Sequence, residues 1–244
     1  MSPSMDFTLD IEEGQKRLSG QELKHFKSRV AKAAHILEEL TAAGIDPTQK
    51  IRALFAGSGV RLIPYILARH TAWEIHGGDL NKTYLTRYPW VRERINILYL
   101  DATAMPFPDN SFDVVVCNHV IEHVHAWEKL ASESYRVVKR AGLFYVATPN
   151  LHGLYRTDVP LKVLLLKILF RNKKKITRDV RITLHMGLAP LEIERLLAPF
   201  SHLETLNRTH ILINCPKFLR RLLSLVPAQV YRRFAPNHVV IARK

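Results

Sequence analysis

The chain has 244 residues, with 36 Lys and Arg against 22 Asp and Glu, for a formal net charge of +14. At 47% hydrophobic it suits one large α/β domain, or one with insertions, and its two cysteines, Cys117 and Cys215, exclude a disulfide framework and a paired metal spacing. The charge calls for something anionic as a partner: nucleic acid, an acidic lipid surface or a phosphorylated substrate.

The N-terminus, MSPSMDFTLDIEEGQ, is polar and acidic and shows no signal-peptide pattern. No uncharged apolar window reaches the length of a bilayer-spanning helix, so none is expected. In residues 21–44, Phe26, Val30, Ala33, Leu37 and Leu40 recur at helical spacing before Gly44, which predicts a helix. Residues 1–48 read as a helical extension and 49–244 as the main domain. Strands are expected at 51–56, 73–79, 95–101, 111–118 and 142–150, and helices at 60–70, 81–88, 125–140 and 189–200. Two further strands, 202–214 and 238–244, lack the usual crossover helix between them, which fits an antiparallel edge pair. The fold class is therefore α/β: a mostly parallel seven-stranded sheet with an antiparallel C-terminal edge pair and helices on both faces.

Ligands of parallel sheets sit beyond the carboxyl ends of the strands. There the first strand runs into Gly57-Ser58-Gly59, the second ends at Asp79 and Leu80, and the third at Asp101 and Ala102. Glycines let a ligand lie against bare backbone, and a carboxylate about twenty residues on accepts both hydroxyls of a ribose. Taken alone, Asp79 is equally well placed as a helix cap. Leu62 stands where a dinucleotide fingerprint needs a small residue, and no phosphate-cradling Gly-Lys-Ser/Thr follows.

The order strand–Gly-x-Gly, strand–Asp, strand–Asp-Ala, then MPFPDNSFDVVVCNHVIEHV and RVVKRAGLFYVATPN, resembles the class I S-adenosylmethionine-dependent methyltransferases of the type 11 kind. The resemblance implies a Rossmann-like fold and S-adenosyl-L-methionine as cofactor. It implies that Gly57, Ser58 and Gly59 hold the methionine end, with Asn118 beside it. Asp79 and Leu80 would serve the ribose, and Asp101 and Ala102 the adenine. The family usually has an acid where Phe55 stands and glycine where Arg61 stands. Arg61 is expected either to approach the cofactor's carboxylate or to point to solvent.

Methyl transfer is an in-line displacement in which alignment supplies much of the acceleration, and a hydroxyl acceptor also needs a base. His119, Glu122 and His123 follow the fourth strand. The expectation is His123 as base, Glu122 orienting it or contributing charge, and His119 touching substrate; the plain alternative is that they merely start the next helix in water. His119-x-x-Glu122-His123 also matches an inverted zinc-peptidase pattern, but the preceding strand argues against a shared helix face. Some quinone-ring O-methyltransferases carry an acid where His119 stands and use a divalent ion, so no metal is carried over.

Two basic, apolar inserts are expected near 151–185 and 215–236. Residues 160–178 and the stretch with Lys217, Arg220 and Arg221 mix aliphatics with cations and hold no acid, which suits an anionic membrane surface better than nucleic acid. Insert placement also resembles, loosely, the ubiquinone-pathway O-methyltransferases. The reading is methyl transfer to a hydroxyl of a lipid-linked or amphiphilic small molecule, in the cytoplasm with peripheral membrane attachment. RNA methylation and a non-catalytic scaffold are the alternatives.

Overall fold

A computed structural model describes residues 7–150, 187–205 and 237–244; the inserts expected near 151–185 and 215–236, with Lys217, Arg220 and Arg221, lie outside the described residues. Strand β1 (Arg52–Ala56) is buried from Ala53 to Ala56, as a strand covered on both faces must be. It pairs in parallel with β2 (Glu74–Asp79) on one side and β4 (Phe112–Asn118) on the other. With β3 (Asn96–Tyr99), β5 (Val138–Pro149), β6 (His202–Thr205) and β7 (Asn237–Arg243) it forms a seven-stranded sheet in the order β3-β2-β1-β4-β5-β7-β6. β7 runs antiparallel to both β5 and β6, so the expected antiparallel pair is present at that edge.

Alternation along the strands divides the core into two layers. Phe55, Ile75, Val114, Val116 and Tyr145 meet α2 (Gly20–Ala42) and α3 (Leu62–His70). Leu54, Val115, Cys117, Phe144 and Val146 lie in the opposite layer with Leu130 and Ile193, from two helices numbered below. Phe55, standing where an acid was anticipated, is thus an ordinary core residue against the α2–α3 layer.

Several elements differ from expectation, among them the last helix, which ends at Leu196 rather than at residue 200. Helix α1 (Thr8–Arg17) was not anticipated, because its buried residues are Asp10 and Gly14 rather than an apolar stripe. Asp10 Oδ1 forms an ion pair with Arg69, 2.8 Å from its Nε, and Asp10 also pairs with His70, which pins α1 to the end of α3. Helix α4 is only Lys82–Thr86, and Pro89 opens a separate 3-10 turn, Pro89–Glu93. Helix α5 (Trp127–Val137) stops three residues early, because Val138 to Arg140 already belong to β5. There Ala141 takes φ 62° and the β4–β5 register shifts, while Lys139 pairs with Asp113 at 2.9 Å. Helix α6 (Pro190–Leu196) closes the described set, in which no helix is long and apolar enough to cross a membrane.

A buried polar cluster ties α2 to β5. The Tyr145 hydroxyl donates to Glu39 Oε2 at 2.8 Å, and His35 Nε2 lies 3.1 Å from Glu39 Oε1. Burial opposes a charge on His35, but Glu39 and Glu38 outweigh it and raise its pKa above the ordinary 6.5. A histidine raised on folding gives stability that is complete below its unfolded value and fades as pH climbs through the higher folded value. Urea unfolding from pH 6 to 9 is therefore expected to show wild type losing stability relative to His35→Gln. A constant difference across that range would remove the ion pair from the account.

Candidate functional site

The loop after β1 is laced to the tip of β2 by its own backbone. Ser58 N donates to Gly78 O at 2.8 Å, and Gly59 N donates to Asp79 Oδ2 at 2.8 Å. Gly57 at φ 72° and Gly59 at φ 55° supply left-handed turns that other residues resist. A Cβ on Gly57 would lie 2.4 Å from a Val120 methyl, whereas the space beside Gly59 is open for 4 Å. The chain is therefore tight on the β4 side of the loop and bare where a ligand would lie.

Asp79 is not the cap of α4. Asn81 fills that role by accepting from Thr83 N at 3.0 Å, and Asp79 Oδ1 accepts from Asn81 N at 2.8 Å. Each Asp79 oxygen takes one backbone N–H, which leaves a lone pair on each for further donors such as a pair of vicinal hydroxyls. The β2 and β3 tips also touch, through Leu100 N donating to Asp79 O at 3.2 Å. Asp101 folds its Oδ1 onto Thr103 N and Oγ1, both at 2.8 Å, which holds the β3 loop in a compact turn beside the buried Ala102. Leu80 is half exposed at the same rim.

A cleft of about 330 Å³ opens beside the glycine loop, within the usual range for small-ligand sites. It gathers Gly57, Ser58, Gly59, Asn118, His119, Glu122 and His123 from the expected set. Asp79, Leu80, Asp101 and Ala102 do not line it; they form the neighbouring rim, joined to it by the Gly59–Asp79 bond. Two lining residues had no signal in the sequence, Arg29 and Lys32 of α2.

Arg61 goes to neither place foreseen for it. It starts α3 at φ 62°, is fully buried, and turns beneath β2 against Gly77. Its Nη2 donates to Tyr84 O at 2.7 Å, while Nε and Nη1 have no hydrogen-bond partner. Burial lowers its pKa and Asp79 opposes that shift, so the cation also backs the Asp79 carboxylate through space.

His119 takes φ 56° directly after β4, so it shares no helix with His123, which lies in the 3-10 turn Ile121–His123. The Glu122 carboxylate is only 3% exposed. Its Oε1 is 3.0 Å from His119 Nδ1 and its Oε2 accepts from Thr148 Oγ1 at 3.1 Å. Burial would raise the Glu122 pKa, but the His119 hydrogen bond and charge, with lesser help from His123, hold it below the ordinary value. Whenever the His119 ring carries a single proton, an ionised Glu122 fixes it on Nδ1 and leaves Nε2 as acceptor, a tautomer assigned from the network. Glu122 thus orients His119 by hydrogen bonding and interacts with the exposed His123 through charge. The Cys117 thiol behind it is pushed far up by burial and stays protonated.

An adenosyl sulfonium compound fits this set by its donors and acceptors. The open space at Gly59 admits it, Asp79 has lone pairs left for ribose hydroxyls, and Asp101 Oδ2 accepts no hydrogen bond from any described residue.

The comparisons with known proteins agree with this arrangement. The family described as "Methyltransferase domain" matches residues 54–146. A probable S-adenosylmethionine-dependent methyltransferase of Mycolicibacterium smegmatis is 42% identical over 64 residues, 26% of this chain and 23% of the relative. A demethylmenaquinone methyltransferase of Renibacterium salmoninarum is 33% identical over 106 residues, 43% of this chain and 44% of the relative. The chain thus spans less than half the length of these curated relatives. Among solved structures, an S-adenosylmethionine-dependent methyltransferase from Archaeoglobus fulgidus superposes with a TM-score of 0.58 at 17% identity, over 88% of this chain and 94% of that one. Residues 54–146 thus match the methyltransferase domain family, and the sheet and glycine loop that carry them have the Rossmann-like fold of the solved S-adenosylmethionine-dependent methyltransferase.

Proposed function

We propose that this chain transfers a methyl group from S-adenosylmethionine to an acceptor, a hydroxyl on an amphiphilic or lipid-linked small molecule. The observation that carries the reading is the lacing of three adjacent strand tips: Gly59 N onto Asp79 Oδ2, and Leu100 N onto Asp79 O, with the Asp101 turn alongside. When bound, the cofactor supplies a methyl group already activated by its sulfonium. The chain supplies alignment and a proton acceptor. Asp79 and Asp101 orient the nucleoside end from the rim, and Gly57 to Gly59 leave room for the methionine end.

His119 is the better-supported base, because its Nδ1 is tied to a buried carboxylate and its Nε2 is left to take a proton beside the cleft. His123 lines the same cleft and is the second candidate. Titration of the chain with S-adenosylhomocysteine tests the cofactor part; no heat and no thermal shift would leave a non-catalytic scaffold.

The amphiphilic acceptor rests on the basic, aliphatic segments 160–178 and 217–234, which suit peripheral attachment to an anionic membrane. Co-sedimentation with phosphatidylserine vesicles is expected to fall about tenfold or more in the double variant Arg220→Glu/Arg221→Glu, at roughly 1 kcal/mol per charge removed near the surface. Unchanged sedimentation, together with steeply salt-dependent RNA binding, would turn the reading to RNA methylation.

A further inference from the structure

We propose that Arg29, with Lys32 beside it, recognises a carboxylate or phosphate group on the acceptor, so that the substrate class is an acidic small molecule. The proposal rests on the methyl-transfer reading of the cleft and narrows it.

Arg29 and Lys32 stand one helical turn apart on α2, and both line the cleft that holds the glycine loop and His119. Arg29 is half-buried, and no hydrogen bond or ion pair joins it to any described residue. Burial disfavours its charge, and no described carboxylate offsets that cost. A guanidinium withdrawn from water without an anion is costly, and an incoming carboxylate or phosphate recovers that cost through a bidentate contact. Surface arginines need no such partner; this one faces a cavity.

The charge balance assigns the anion to the acceptor. Among the described lining residues the single carboxylate is Glu122, and both of its oxygens are engaged, by His119 and Thr148. The cofactor brings a carboxylate, an ammonium and a sulfonium, so it adds net positive charge to a wall that is already positive. Among the described lining residues an anionic acceptor is therefore the complementary occupant. An acid group anchored on α2 would lay the rest of the acceptor toward His119 and His123, across the same cleft.

The test uses the full chain saturated with S-adenosylhomocysteine. Phenyl phosphate and benzoate are titrated calorimetrically, with phenol as the uncharged control. The expected result is that at least one anion binds tenfold or more tightly than phenol. Arg29→Gln should lose that advantage by tenfold or more while holding S-adenosylhomocysteine within twofold of wild type, and Arg29→Lys should recover part of it. Equal binding of phenol and the anions, no binding of either anion, or an anion affinity unchanged in Arg29→Gln overturns the proposal. So does a tenfold loss of S-adenosylhomocysteine with 5′-methylthioadenosine unaffected, since that assigns Arg29 to the cofactor's own carboxylate. Failure of wild type to bind S-adenosylhomocysteine overturns the methyl-transfer reading itself, a different outcome from binding it and rejecting the anions.

Discussion

Asp79→Ala is expected to weaken S-adenosylhomocysteine binding by about 100-fold, or roughly 2.7 kcal/mol, with the fold intact. Two contributions reach that size. Ribose hydroxyls donating to an ionised carboxylate are worth about 1.5–3 kcal/mol each. Removal of Asp79 also takes the acceptor from Gly59 N and so loosens the loop at the cofactor's other end. Asp79→Asn keeps one acceptor oxygen and should lose only about tenfold, following the smaller value of an uncharged hydrogen bond. Calorimetry on both variants, with circular dichroism to confirm folding, separates the cases. Wild-type affinity in Asp79→Ala would detach the tip of β2 from the cofactor site.

Gly57→Ala should cost on the order of 2–5 kcal/mol of stability, and a Tm on the order of 10 °C, for a chain of this size. The φ of 72° at Gly57 is disfavoured for any L side chain by about 1–2 kcal/mol. The new methyl would also lie 2.4 and 2.6 Å from the two methyls of Val120, and overpacking adds about 1–3 kcal/mol. Rotation of Val120 brings one methyl or the other into the same space, so the overlap persists. Adding Val120→Ala should restore the steric part and leave the conformational part. Gly59→Ala is the internal control: its neighbourhood is open, so only the cost of its φ of 55° applies. Equal melting of the two single variants would show that Val120 does not confine the loop.

The strand–helix alternation, the glycine loop and the acids at the strand tips were legible because each depends on local pattern. Apolar runs mark β1, β4 and β5, and Gly57, Asp79 and Asp101 follow strand ends directly. Helix α1 was not legible, because it docks through Asp10 rather than an apolar face. The end of α5 was misplaced, because Arg136 to Arg140 reads equally well as a helix terminus; the turn at Ala141 and the contact of Lys139 with Asp113 decide for strand. In the site, Glu122 stands three residues after His119 and one before His123, and nothing in that spacing shows which ring meets the carboxylate. The left-handed backbone at His119 brings its ring to the buried carboxylate, and on that contact rests the proposal of His119 as base. Arg29 and Lys32 look like solvated positions of an amphipathic helix, and only the packing of α2 over the cleft mouth reveals them. Arg61 looks like an exposed loop cation, and nothing local announces its burial beneath β2.

β7 occupies an inner place in the sheet although residues 237–243 follow both of its neighbours along the chain. Synthesis therefore completes β5 and β6 before the strand that must separate them. Until it arrives, the hydrogen-bonding row from Leu143 to Pro149, flanked by Phe144, Tyr145 and Val146, is a vacant template for foreign strands. Nascent chains held at that stage are the aggregation-prone ones, and sheltering by a chaperone matters most in that interval.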